Sequence, residues 1–384
     1  MERQALSRED AEANQQTTET SWSSGTRPLP NAGKAARAKV ADAELRLLDT
    51  GAAIRISLGE ARLATYTYRD ASFSASASAS ASASASASAS ASASASASAS
   101  ASASTQGTAS GIEAVRAPRP IWQFWDAQGR ELTDRFPDDH PWHEGLSLAI
   151  AHVGNTNFWG GPTYQPGTAE RAAGYQQLEN LGNQAHQALR VETSILGSAN
   201  SAIHITHELE WLDERVLPIL SELRRMTLTV EDAQHWRLTW HTTLRNLSKG
   251  PVHLGSPATK GRAGAGYGGI FLRLAADYRD GILVDAKGNR GESVAEGHAS
   301  WLRQYSTDAS RPSVRLSSAS SQPTWFARSV EYPGLGPAPF AETETTLASG
   351  DTVELEFEMT VARDAFSPDA FSQDASTQDP EVTP

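Results

Sequence analysis

Apolar residues recur at every second position through long stretches of this chain. Trp236, Leu238, Trp240, Thr242 and Leu244 fall on one face of a run whose other face carries Arg237, Thr239, His241, Thr243 and Arg245. Ile203, Ile205, His207, Leu209 and Trp211 alternate with His204, Thr206, Glu208 and Glu210, and Val353, Leu355, Phe357 and Met359 alternate with Glu354, Glu356, Glu358 and Thr360. A period of two marks strands with one face buried. Shorter strands are expected at 53–57, 61–68, 121–125, 188–196, 223–230, 270–275 and 313–318, bounded by Gly, Pro, Asn and Asp. Helical periodicity is confined to 168–180 and short pieces near 213–222. The expected fold is all-β, a large antiparallel β-sandwich.

The pattern fails in three places. Residues 1–36 are polar with a single aromatic, Trp22, and are expected to be disordered because they cannot bury enough apolar surface to offset ordering entropy. From Ser74 to Ser104 the chain alternates Ser and Ala, so 71–110 reads as a flexible low-complexity insert. Residues 366–384 carry acids and no bases and read as a disordered tail. One β-sandwich domain over 37–365, interrupted by the insert, is the expected organisation.

With 33 Lys and Arg against 45 Asp and Glu, the chain of 384 residues carries a formal charge of −12. That excess of acid argues against nucleic acid or an anionic membrane as partner. The absence of Cys excludes disulfides, thiol nucleophiles and Cys-ligated metals. No apolar run approaches the roughly 20 residues needed to cross a bilayer, and the polar start lacks a signal-peptide core. A soluble, cytoplasmic protein is expected, with a small molecule or glycan as ligand.

Candidate chemistry concentrates in four segments. In Asp138-Asp139-His140-Pro141-Trp142-His143-Glu144-Gly145, two imidazoles three residues apart lie among carboxylates. They suit a general acid/base pair with Asp139 orienting one ring, or two metal ligands; the structural alternative is a turn after Pro137. Asn157-Phe158-Trp159-Gly160-Gly161 offers an amide, an indole suited to stacking on a sugar ring, and glycines that allow close backbone approach; alternatively both aromatics are core. The Gly-rich loop 255–269 carries Lys260, Arg262 and Tyr267 but leads into a strand, which removes a phosphate-loop reading. On an alternating strand Trp325 and Ala327 share one face, and Phe326 and Arg328 the other. Arg328 on that apolar face needs a salt-bridge partner or a ligand. His186, after a turn, is the best additional histidine.

Together these blocks resemble the PmoA-like domain family, a soluble bacterial family without an assigned activity. The resemblance rests on Asp139 to Leu146, Asn157 to Tyr164, Gly255 to Arg262 with Ala265 to Gly269, and Trp325 to Ser329 with Pro337 to Phe340, within about 45–363. It departs from the family pattern at Gln123, where a His is common, and at Glu144, where a basic residue or His is common. The label methane oxygenase attached to that family does not fit a chain without transmembrane helices. The resemblance implies instead a galactose-mutarotase-like supersandwich and a carbohydrate ligand.

The leading expectation is an enzyme acting on a sugar or sugar-derived carbonyl compound, of isomerase, mutarotase or lyase type. His140 and His143 would transfer protons, oriented by Asp139; Trp159, Asn157, His186, Lys260, Arg262, Tyr267, Trp325 and Arg328 would bind substrate. A non-catalytic carbohydrate-binding sandwich is the second reading. A divalent metal held by His140, His143 and His186 in an oxidoreductase is the third.

Overall fold

The computed structural model describes residues 36–40, 43–69, 115–196, 200–320 and 323–363. Of the expected disordered segments, 1–35 and 366–384 lie outside the described residues, while Ala36 is in a strand; the insert 71–110 and the last two residues of the expected domain, 364–365, also lie outside.

In chain order the strands are β1 (Ala36–Val40), β2 (Ala43–Asp49), β3 (Ala53–Leu58), β4 (Ala61–Thr67), β5 (Ile121–Phe124) and β6 (Leu146–Ala149). Short β7 (His152–Val153), β8 (Thr163–Gln165) and β9 (Gly174–Gln176) follow. Four long strands come next: β10 (Asn183–Leu196), β11 (Asn200–Leu212), β12 (Pro218–Val230) and β13 (Trp236–Asn246). The remainder are β14 (Val252–Gly255), β15 (Gly269–Arg273), β16 (Leu283–Asp285), β17 (Trp301–Gln304), β18 (Ser313–Ser318), β19 (Trp325–Arg328), β20 (Gly334–Pro337), β21 (Thr345–Leu347) and β22 (Thr352–Ala362).

Two large antiparallel sheets dominate. One runs β1-β2-β3-β4-β5-β6-β15-β20-β19, the other β10-β11-β12-β13-β22-β18-β17-β16. Their inner faces share one core. Trp122 of β5 donates to the Met226 sulfur of β12 at 3.2 Å, and Phe124 stacks on Trp236 of β13 at 4.7 Å. The alternation read from the sequence is the burial pattern found: Trp236, Leu238, Trp240, Thr242 and Leu244 are buried, as are Leu355, Phe357 and Met359. The expected large antiparallel β-sandwich is the observed architecture. Residues 70–114 fall between two neighbouring strands of one sheet, since Thr67 of β4 pairs with Ile121 of β5.

Both expected helical stretches are corrected. In 168–180, Gly174, Tyr175 and Gln176 form β9, paired with β8 so that Tyr164 lies opposite Tyr175. Gly167 and Gly174 flank a turn closed from Thr168 N–H to the Arg171 carbonyl, which ends any helical run. Near 213–222, the Asp213 carboxylate accepts the N–H groups of Arg215 and Leu217, closing a turn that feeds directly into β12 at Pro218. Among the described residues, no helix is long and apolar enough to cross a membrane.

Candidate functional site

Two consecutive turns build the histidine pair. His140 N–H donates to the Pro137 carbonyl and His143 N–H to the His140 carbonyl, so the imidazoles project from successive corners. Their rings stack at 4.7 Å, 3° from parallel. Gly145, at φ 50°, closes the segment against Trp122, where a Cβ would stand 2.1 Å from the backbone oxygen. Next to it, the buried Glu144 accepts both Arg116 Nε (2.9 Å) and Nη2 (3.1 Å). Arg119 joins this segment to the next one, donating to the Trp142 and Trp159 carbonyls.

Asp139 lies beside His140, its Oδ2 at 3.3 Å from Nδ1, and accepts Arg273 Nη2 at 2.8 and 2.9 Å. Burial pushes its carboxyl up, but the hydrogen bonds and charge of Arg273, then those of His140, outweigh that and hold it below the usual range. His143 is 2% exposed, with no hydrogen-bond partner for Nδ1. Burial, reinforced by the charges of His140, Arg273 and Arg119, pushes its imidazole well below 6.5, so it is neutral at neutral pH.

Asn157 has a structural role. Its Oδ1 accepts the N–H groups of Trp159 and Gly160, and its Nδ2 donates to the Gly161 carbonyl and Thr163 Oγ1. Gly160 (φ 97°) and Gly161 (φ 65°) let the backbone lie against Trp142; Cβ atoms there would come within 2.7 and 2.5 Å of its side chain. The close approach expected toward a ligand is thus made to an indole. Trp159 packs edge-on to His143 at 5.6 Å and against Tyr267 at 4.7 Å.

The Gly-rich loop and the β8–β9 hairpin meet over this platform. Arg262 Nη1 donates to the Tyr175 hydroxyl at 2.8 Å, and that hydroxyl lies 3.0 Å from the Tyr267 hydroxyl. Burial, then the charge and hydrogen bond of Tyr175, push the Tyr267 phenol well above 10, leaving it a hydrogen-bond donor. On β19, Trp325 and Ala327 point into the main core while Phe326 and Arg328 take the other face. Arg328 lies over the Phe326 ring and donates Nη1 to its neighbour's carbonyl. Neither Arg262 nor Arg328 forms an ion pair with a carboxylate among the described residues.

These side chains converge on a pocket of about 370 Å3. Of the candidates, His140, His143, Trp159, Arg262, Tyr267 and Arg328 line it. Trp142, Tyr175, Phe326, Glu331 and Tyr332 also line it and were not singled out as site residues. Trp142 and Phe326 stood inside quoted motifs, and Tyr175 was hidden in the expected helix.

Other candidates lie elsewhere. Trp325 is buried, donating its indole N–H to the Ala299 carbonyl at 2.7 Å. Lys260 pairs with Glu344 at 2.5 Å and lines a different cavity. His186, on β10, bonds to His207 at 3.0 Å and packs against Tyr68. The three-histidine metal set therefore does not assemble, and among the described residues no group of three or more His, Asp or Glu is placed to hold a metal ion.

A model for a family of unknown function (DUF6807) matches residues 105–376. This corrects the resemblance to the PmoA-like domain family: the matching family is a different one, and what that resemblance implied carries no further weight. No curated protein matches the chain. Among solved structures, the chain is similar to the Slr1438 protein from Synechocystis sp. PCC 6803 at 10% identity and a TM-score of 0.31, covering 63% of this chain and 89% of that one.

Proposed function

The chain belongs to the DUF6807 family, and we propose that it acts on a carbohydrate or sugar-derived carbonyl compound by histidine acid/base proton transfer, as an isomerase, mutarotase or lyase does. The supporting observation is the convergence of two stacked imidazoles, two guanidinium groups without carboxylate partners and an aromatic wall on one pocket. Its volume suits a monosaccharide-sized ligand, since small-molecule sites begin at roughly 300 Å3. Trp142 and Trp159 offer apolar faces for a sugar ring. Arg262 and Arg328, against the single acid Glu331, favour a ligand bearing a carboxylate.

In this reading neutral His143 takes a proton from carbon next to the carbonyl. His140, beside Asp139, gives one to the carbonyl oxygen. Arg262 and Arg328 stabilise the developing oxyanion. Isomerisation is completed when His143 returns its proton to the former carbonyl carbon while His140 takes one from the neighbouring hydroxyl; elimination is completed when the enol gives its proton back to His140 as the β-substituent leaves with the proton from His143. A panel of uronic acids and keto-sugars incubated in D2O tests this by NMR. The protein should catalyse deuterium incorporation next to the carbonyl, and His140→Gln and His143→Gln should each lower it roughly 10²–10⁴-fold while ligand still binds. Ligand binding with neither deuterium exchange nor faster interconversion of anomers, unaltered by either substitution, would leave the aromatic-lined pocket as a carbohydrate-binding module.

A further inference from the structure

A second cavity, of about 470 Å3, lies beside the β8–β9 hairpin. Tyr164 and Tyr175 are cross-strand partners in that hairpin, their rings 5.5 Å apart. Tyr175 lines the arginine pocket and Tyr164 lines the second cavity. The Gly-rich loop divides in the same way, with Arg262 on the first side and Lys260, two residues earlier, on the second. Because the paired rings share one face of the hairpin and touch, the two hollows lie side by side along it.

Their chemistry differs. Lys260 is neutralised by Glu344, so the second cavity presents no free cation. It presents hydrogen-bonding groups instead: Tyr164, Gln165 and His152. His152 is 5% exposed, and its Nε2 is buried without a partner. A buried nitrogen left without a partner costs free energy unless something polar reaches it. Burial, then the charge of Lys260, lower that imidazole to about 4, so the nitrogen is part of a neutral ring that can accept or donate to a hydroxyl.

We infer that the second cavity is a subsite for a neutral sugar unit, so that the ligand is at least a disaccharide with its acidic unit in the arginine pocket. This rests on the carbohydrate reading of the first pocket and specifies the substrate class.

Calorimetric titration of the full chain tests it with two probe sets: free glucuronic and galacturonic acids, and the disaccharides in which each is linked to a neutral hexose. A disaccharide should bind at least tenfold tighter than its free acid. Gln165→Trp, which fills the cavity, and His152→Phe, which removes the orphaned nitrogen, should each erase that gain and leave binding of the free acid unchanged; if one fails to fold, the other decides. Equal affinity for acid and disaccharide, or a gain that survives in the folded variants, overturns the second subsite and spares the first. If no probe of either set binds, the carbohydrate reading itself falls, and the subsite with it.

Discussion

Gly161 makes room for the Trp142 indole. Its φ of 65° is strained for any residue with a side chain, and its missing Cβ is the space the indole occupies. Gly161→Ala should cost about 1–2 kcal/mol through the backbone alone and more through the displaced ring. Gly154→Ala, at φ 60° with open space around it, should lose only the backbone share. Thermal melts of the two variants check this: Gly161→Ala should melt lower and bind ligand more weakly, and equal melting temperatures would contradict the packing argument. Residue by residue, the sequence revealed chemistry better than contacts. The alternation around Trp325 put Arg328 opposite the core, where the pocket lies. Nothing local distinguished Asn157, whose amide is spent on its own loop, or Lys260, whose fate depends on Glu344 far along the chain.

At the scale of elements, long strands were legible because one buried face imposes a period of two. Short ones such as β8 and β9 were not, because three residues cannot display it. The pattern also concealed polar groups on inward faces. Glu222 and Arg224 of β12 pair at 2.7 Å with both side chains fully buried. Arg224 reaches across to the Tyr66 hydroxyl of β4, which bonds His207 of β11, which in turn bonds His186. This chain of hydrogen bonds ties the two sheets together and ends at His186, whose Nε2 is buried without a partner.

Burial, then the charges of Arg224, His186 and Arg69, hold His207 well below 6.5; burial, then Arg69, opposed by Asp49, lower His186 to about 4. Tyr68, bonded to Asp49, closes the outer end of the cluster. The unfolded chain therefore takes up protons between about 6.5 and 4 that the folded chain refuses. Stability should be full above that window and fall as pH drops through it, by at most about 1.4 kcal/mol per pH unit for each fully buried imidazole. The lowered carboxylates, Asp139 among them, add their loss only at lower pH. Urea unfolding from pH 8 to 4.5 checks this: the midpoint should hold above 6.5 and decline below it, with a shallower decline in His207→Gln. A flat midpoint through that range would contradict it.

Considered whole, the molecule places its site where loops from distant parts of the chain meet over the outer face of the nine-stranded sheet. The turns after β5, the loop after β7, the β8–β9 hairpin, the loop before β15 and the segment around β19 each supply part of one pocket. The sequence could nominate these segments by composition. It could not say that His186 belongs to the inter-sheet network, or that Lys260 and Arg262 line different hollows, because both facts depend on which strands become neighbours.

The central claim is that this pocket binds an acidic sugar through Arg262 and Arg328, and ligand-dependent thermal stabilisation tests it most directly. A ligand that binds the native state alone, supplied at 100 times its dissociation constant, stabilises by about 2.7 kcal/mol. Glucuronic or galacturonic acid should raise the melting temperature of the wild-type chain, the matching neutral hexose should do so less, and Arg262→Ala/Arg328→Ala should abolish the difference. Equal response to acid and neutral sugar, or a response that survives loss of both arginines, would contradict it.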